Sequence, residues 1–121
     1  MENVTSDKVK ELQSQGKTVL VDYWAKWCGP CKALIPRLEL LEAQYPNVTF
    51  VKVDVDENMD YALDLGIRTV PTVVVYNGET VVNRSMGANQ DIFYKNILFD
   101  NTVTPYITTT SDSNISRNTY T

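Results

Sequence analysis

The sequence has no histidine and only two cysteines, Cys28 and Cys31. A tetrahedral zinc site needs four ligands, so one copy of this chain supplies at most half of one from these side chains. No apolar run approaches the length of a bilayer-spanning helix. Neither a Gly-x-Gly-x-x-Gly pattern nor a phosphate loop occurs, so no cofactor is expected. Basic residues are the minority: the net charge is −4 and the isoelectric point about 4.7. No basic stripe is present to meet phosphates, which argues against nucleic acid as a partner. The segment Met1-Glu2-Asn3-Val4-Thr5-Ser6-Asp7-Lys8 is polar and lacks a signal-peptide centre, so a cytoplasmic location is expected. Two cysteines three positions apart constrain almost no chain, which makes a purely structural disulfide a weak explanation for them.

What is present is enough for one globular domain with its own core, at 121 residues and 43% hydrophobic side chains. The chain is organised around Val19-Leu20-Val21-Asp22-Tyr23-Trp24-Ala25-Lys26-Trp27-Cys28-Gly29-Pro30-Cys31-Lys32. Its β-branched start predicts a buried strand, and a helical pattern begins directly after the cysteines. The first N–H groups of a helix lack internal partners and carry a partial positive charge. A sulfur placed there is stabilised as thiolate, the nucleophilic form. Cys28 takes that place, and Cys31 lies one turn on along the same face. Gly29 permits the tight turn, and Pro30 suits a first-turn position where no N–H is missed. Two thiols so placed satisfy the requirement for thiol–disulfide exchange: one attacks, the other resolves.

Taken in order, Ser6-Asp7 are expected to cap a first helix that buries Val9 and Leu12 and ends at Gly16. At most Asn3-Val4-Thr5 supplies a strand before it. After Cys31, apolar residues recur at Leu34, Leu38, Leu41 and Tyr45, with Pro36 expected to kink the helix. A strand over 48–55 follows, completing a βαβ unit with a right-handed crossover. Asp56-Glu57-Asn58 are expected to open a shorter helix closed by Gly66. A β-rich run over 72–76 and an Asn77-Gly78 turn then make a hairpin. A last helix is expected from Asn89 to about Phe99, burying Ile92, Phe93 and Ile97. These elements predict an α/β fold of three layers, α/β/α, around a mixed central sheet. Residues 101–121 are rich in Thr, Ser and Asn, and a disordered extension beyond a 1–100 domain is expected. A docked strand using Val103, Tyr106 and Ile107 is the alternative.

The segment Trp27-Cys28-Gly29-Pro30-Cys31-Lys32 resembles the active-site signature of the thioredoxin family. Val21-Asp22-Tyr23-Trp24-Ala25, Gly66-Ile67-Arg68-Thr69-Val70-Pro71-Thr72, Asn77-Gly78-Glu79 and Gly87-Ala88 are similar to further family landmarks in the same order. The resemblance spans roughly 17–99. It implies a protein-disulfide reductase in which Cys28 attacks a client disulfide and Cys31 resolves the mixed disulfide. Asp22 is a carboxylate in an apolar strand, where burial would raise its proton affinity; the family reading makes it the proton acceptor for Cys31. A hydrogen-bonded aspartate without a chemical role is the plainer alternative. Lys52 is implied as its partner from the next strand, against a merely solvated lysine.

Pro71 is implied to follow a cis bond beside the disulfide, against an ordinary trans turn. Trp27, Gly29, Pro30, Val55, Val70, Met86, Gly87 and Ala88 are implied as the surface that docks substrate. Met86 stands where the family commonly has a branched aliphatic residue. Gly29-Pro30, with no histidine between the cysteines, resembles the reducing branch. Disulfide-containing client proteins and a thioredoxin-reductase-like electron donor are the implied partners of a monomer. A binding module with incidental redox chemistry and an oxidase or isomerase of secreted proteins are the alternatives.

Overall fold

The computed structural model describes residues 1–87. Ala88, the helix expected from Asn89 to Phe99 and the 101–121 extension lie outside the described residues. In chain order the elements are β1 (Glu2–Asn3), α1 (Ser6–Ser14), β2 (Thr18–Trp24), α2 (Gly29–Gln44), β3 (Thr49–Asp54), α3 (Met59–Asp64), β4 (Thr72–Asn77) and β5 (Thr80–Met86). The strands form one sheet in the order β1-β3-β2-β4-β5. β1 and β2 each run parallel to β3, β4 is antiparallel to β2, and β5 is antiparallel to β4. The mixed sheet is therefore parallel on one side of β2 and antiparallel on the other.

β2 is the middle strand, hydrogen-bonded to β3 on one side and β4 on the other and covered on both faces. Val19, Leu20, Val21, Asp22 and Tyr23 are all buried, four apolar or aromatic residues around a single carboxylate. Alternation splits them between two cores. Val19, Val21 and Tyr23 pack with Val9 and Leu12 of α1, Ala62 of α3, and Val51, Val53, Val74 and Tyr76 of the sheet. Leu20 packs on the other face with Leu34 and Leu38 of α2, Tyr45, Phe50, Val73 and Val75. Each such side chain contributes about 1.5–3 kcal/mol on burial. Helices on both faces of the sheet give the three layers expected.

Several boundaries differ from the sequence reading, each for a local reason. β1 is Glu2–Asn3 rather than Asn3-Val4-Thr5, ending two residues sooner because Thr5 is taken as the N-cap position of α1. Ser6 does not cap that helix; its N–H donates to Asn58 Oδ1 at 3.1 Å, a partner from a distant loop. α3 starts at Met59 rather than Asp56, since Asp54 holds 56–58 in a turn. Its Oδ1 accepts from the Asp56 N–H, and its carbonyl accepts from Asn58 Nδ2, each at 2.9 Å. Asn77 pairs with Thr80, so the hairpin loop is Gly78-Glu79, with Gly78 at a φ of 61° that glycine adopts without strain. α2 runs through Pro36 as one helix. Pro36 is exposed, on the side where water can replace the bond it removes.

Candidate active site

The site forms where β2 ends and α2 begins. The Cys28 N–H bonds the Ala25 carbonyl at 3.2 Å, closing the turn that carries the chain from sheet to helix. Cys28 is the N-cap residue of α2, and its Sγ accepts the Cys31 N–H at 3.1 Å. A sulfur so placed takes up one of the unpaired donors at the positive end of the helix. Cys28 and Cys31 are joined as a disulfide with their Cα atoms 5.3 Å apart. Both sulfurs lie in a small cluster with Ala25, against which Trp24, Val55 and Val70 pack. Cys31 is completely enclosed, whereas Cys28 retains a trace of exposure. Approach from outside is therefore to Cys28.

Across from the disulfide is the loop before β4. The Val70–Pro71 peptide bond is cis, and the Val70 carbonyl oxygen lies 3.8 Å from Cys28 Sγ. Thr72 Oγ1 ties back to the Thr69 carbonyl at 2.5 Å, and Gly87 N–H bonds the Pro71 carbonyl at 2.8 Å. The loop is thus held from both sides. A cleft of about 340 Å3 opens beside it, lined by Trp27, Val55, Ile67, Arg68, Thr69 and Val70. Trp27 is 70% exposed, yet its indole is fixed by Nε1 donating to Asp56 Oδ2 at 2.8 Å.

Of the residues implied for docking, Trp27, Val55 and Val70 meet in this cleft. Gly29, Pro30 and Met86 are surface residues, and Met86 pairs with Thr72, directly after Pro71. Ile67, Arg68 and Thr69 were not singled out from the sequence as lining residues. Nor was Asp56, which orients the tryptophan. Ile67, Arg68 and Thr69 fall inside the 66–72 segment already matched to a family landmark, and Asp56 comes just after β3.

Asp22 lies in the middle of β2, fully buried, and neither carboxyl oxygen has a hydrogen-bond partner. Burial pushes its pKa up to about 7 against a weaker pull downward from the Lys52 charge. Alternation along β2 puts Asp22 on the face of Leu20, the face covered by the helix that carries Cys31. Lys52 is its register partner on β3. The lysine ammonium sits 4.7 Å from the centroid of the Trp24 ring rather than on the carboxylate. Among the described residues, no group of three or more His, Cys, Asp or Glu side chains could hold a metal ion.

A mixed sheet that delivers a Cys-x-x-Cys disulfide to a helix N-terminus, opposite a cis-proline loop, defines a thiol–disulfide oxidoreductase. Comparison with known proteins narrows the class. The family model described as Thioredoxin matches residues 2–98. Thioredoxin-2 of Saccharomyces cerevisiae is 44% identical over 78 residues, covering 64% of this chain and 75% of the yeast protein. Thioredoxin-1 of Schizosaccharomyces pombe is 38% identical over 84 residues, 69% of this chain and 82% of its own length. Among solved structures, Fasciola hepatica thioredoxin superposes with a TM-score of 0.73 at 34% identity, covering 80% of this chain and 96% of that one. The chain belongs to the thioredoxin family. Its reaction type is dithiol–disulfide exchange, carried by Cys28 and Cys31. Among the described residues no helix is long and apolar enough to cross a membrane.

Proposed function

We propose that this protein reduces disulfides in other proteins, with electrons returned by a thioredoxin-reductase-like donor. The observation that supports it most is Cys28 Sγ at the N-terminus of α2, 3.8 Å from the carbonyl of Val70, a residue that lines the cleft. In the reduced protein, Cys28 thiolate attacks one sulfur of a client disulfide and the other client sulfur leaves as thiolate. Cys31 then loses its proton to Asp22 and attacks Cys28 Sγ. The Cys28–Cys31 bond forms, the mixed disulfide breaks, and the client departs with two electrons.

Asp22 fits the acceptor role because an unpaired buried carboxyl with a pKa of about 7 holds or releases a proton at neutral pH. Lys52 adds a positive charge one strand away. The client chain lies extended in the cleft against Trp27, Val55 and Val70 and pairs with the Val70 backbone, with Met86 and Gly87 at its edge. Gly29 and Pro30 shape the turn it meets. Ala88, outside the described residues, completes the same surface. A reducing compartment such as the cytoplasm keeps the pair in its dithiol form, and the protein acts as a monomer on one client at a time.

Insulin reduction with dithiothreitol as electron source tests the proposal. Turnover should exceed that of Cys28→Ser by roughly three orders of magnitude; equal rates would end it. Cys31→Ser should accumulate a mixed disulfide through Cys28 with client proteins. No trapped species would remove the assigned division of labour between the sulfurs.

A further inference from the structure

Asp22 and Trp24 are two residues apart on β2 and project to the same face. Lys52 is the register partner of Asp22 on β3. Neighbouring strands lie about 4.8 Å apart, so a lysine opposite a carboxylate has ample reach to pair with it. It does not: both Asp22 oxygens are without a partner, and the Lys52 ammonium sits over the Trp24 ring at 4.7 Å. The ring is itself held. Its Nε1 donates to Asn3 Oδ1 at 3.0 Å, and its body packs against Ala25, Cys28 and Cys31. Asn3 in turn is the register partner of Lys52 on the other edge of β3. A strand of two residues thus brings one amide to the indole that seats the lysine.

We propose that Trp24, oriented by Asn3, is a positioning residue that seats the Lys52 ammonium over its ring and off the Asp22 carboxyl. The inference rests on the proton-acceptor role proposed above for Asp22 and says how that role is kept available. An aspartate in direct contact with an ammonium stays ionised through the neutral range and cannot exchange a proton there. The face of an indole attracts a cation and leaves its outer side to water, so it competes with a carboxylate whose pairing would require stripping the ammonium of water. Other charged groups do not substitute for Lys52. From β4 the register partner of Asp22 is Val73, with Val75 next along that face, and the residues that α2 buries are Cys31, Leu34 and Leu38, none of them charged. From β3 the next residue on that face is Asp54, which has Lys26 4.0 Å away.

The test is the titration of the Asp22 side-chain carboxyl by carbon NMR in the oxidised protein, assigned with Asp22→Asn. Trp24→Leu removes the seat, and the midpoint should fall by about one pH unit or more as Lys52 reaches the carboxylate. Trp24→Phe keeps an aromatic face without its anchor and should give a smaller fall. Asn3→Ala should give the smallest. Lys52→Met should raise the midpoint, and Trp24→Leu added to it should then leave the midpoint where Lys52→Met put it. A midpoint unmoved or raised by Trp24→Leu overturns the proposal. So does a fall of the same size in the Lys52→Met background, which would mean that water, not lysine, has reached Asp22. If Trp24→Leu does not fold, Trp24→Phe and Asn3→Ala decide, and no fall in either overturns it. A wild-type protein in which Asp22 shows no titration near neutral pH removes the acceptor role itself, a failure distinct from the others.

Discussion

Asp22 and Tyr23 are consecutive, both buried and both polar, yet the fold treats them oppositely. Tyr23 points toward α1 and α3, where its hydroxyl bonds Tyr76 at 2.8 Å and Tyr61 at 3.2 Å. Asp22 points toward α2 and has no hydrogen-bond partner. Burial raises both proton affinities. The tyrosine is pushed well above its ordinary value, beyond the range in which it titrates, and burial carries Tyr76 to about 12. The aspartate is brought to about 7, into the range in which it does. A satisfied buried hydroxyl holds the core together. An unsatisfied carboxyl destabilises it, a cost consistent with the acceptor role proposed for Asp22.

The largest test of this contrast is the pH dependence of stability in Asp22→Asn. Below pH 3.8, the unshifted value, the carboxyl is protonated in folded and unfolded chains alike and has no linkage effect. As pH rises from there to about 7 the unfolded chain releases the proton and the folded chain keeps it, so folding stability falls. Above that the loss is complete. Relative to wild type, Asp22→Asn should therefore gain roughly 4 kcal/mol between acid and mildly alkaline pH, read from denaturant unfolding at each pH. A gain that is flat with pH would erase the distinction between the two residues. The same variant should slow the release of mixed disulfides at neutral pH.

Tyr23→Phe comes next and should act with the opposite character. It leaves the Tyr76 and Tyr61 hydroxyls short of a partner and should cost about 1–3 kcal/mol, equally at acid and alkaline pH, with disulfide reduction unchanged. A pH-dependent loss, or a fall in reduction rate with folding intact, would place Tyr23 in the chemistry after all. The smallest effect sharpens the point. Tyr61 is partly exposed, so Tyr61→Phe should cost under about 1 kcal/mol, since water reaches what the variant leaves unpaired. A cost equal to that of Tyr23→Phe would show the three hydroxyls acting as one unit.

Much of the fold was readable because local signals agreed. The apolar run of β2, the Leu34 and Leu38 stripe and glycines at Gly16 and Gly66 each predicted an element that the structure contains. The misses share a cause. Ser6 is not the cap because the helix already begins there, with Thr5 at the N-cap, and its first-turn N–H is taken by Asn58, fifty-two residues away. Asp56 failed to open α3 because Asp54 holds the turn before it. In each case a side-chain bond that hydrophobic periodicity does not register satisfied the donor, from a distant segment for Ser6 and from two residues upstream for Asp56. The same holds in the site. Cys28, Cys31 and Pro71 stood out by motif, while Ile67, Arg68 and Asp56 became site residues only when the chain folded around them.

By itself the sequence determined that two sulfurs lie one helical turn apart after a buried strand, since spacing and periodicity settle which residues share a face. It also determined that a carboxylate is carried into that strand. Only the tertiary structure decided what surrounds them: which sulfur keeps access to solvent, that Asp22 finds no hydrogen-bond partner, and that Lys52 rests on Trp24. Those outcomes depend on which side chains from distant segments arrive in contact, and on how much water they leave behind.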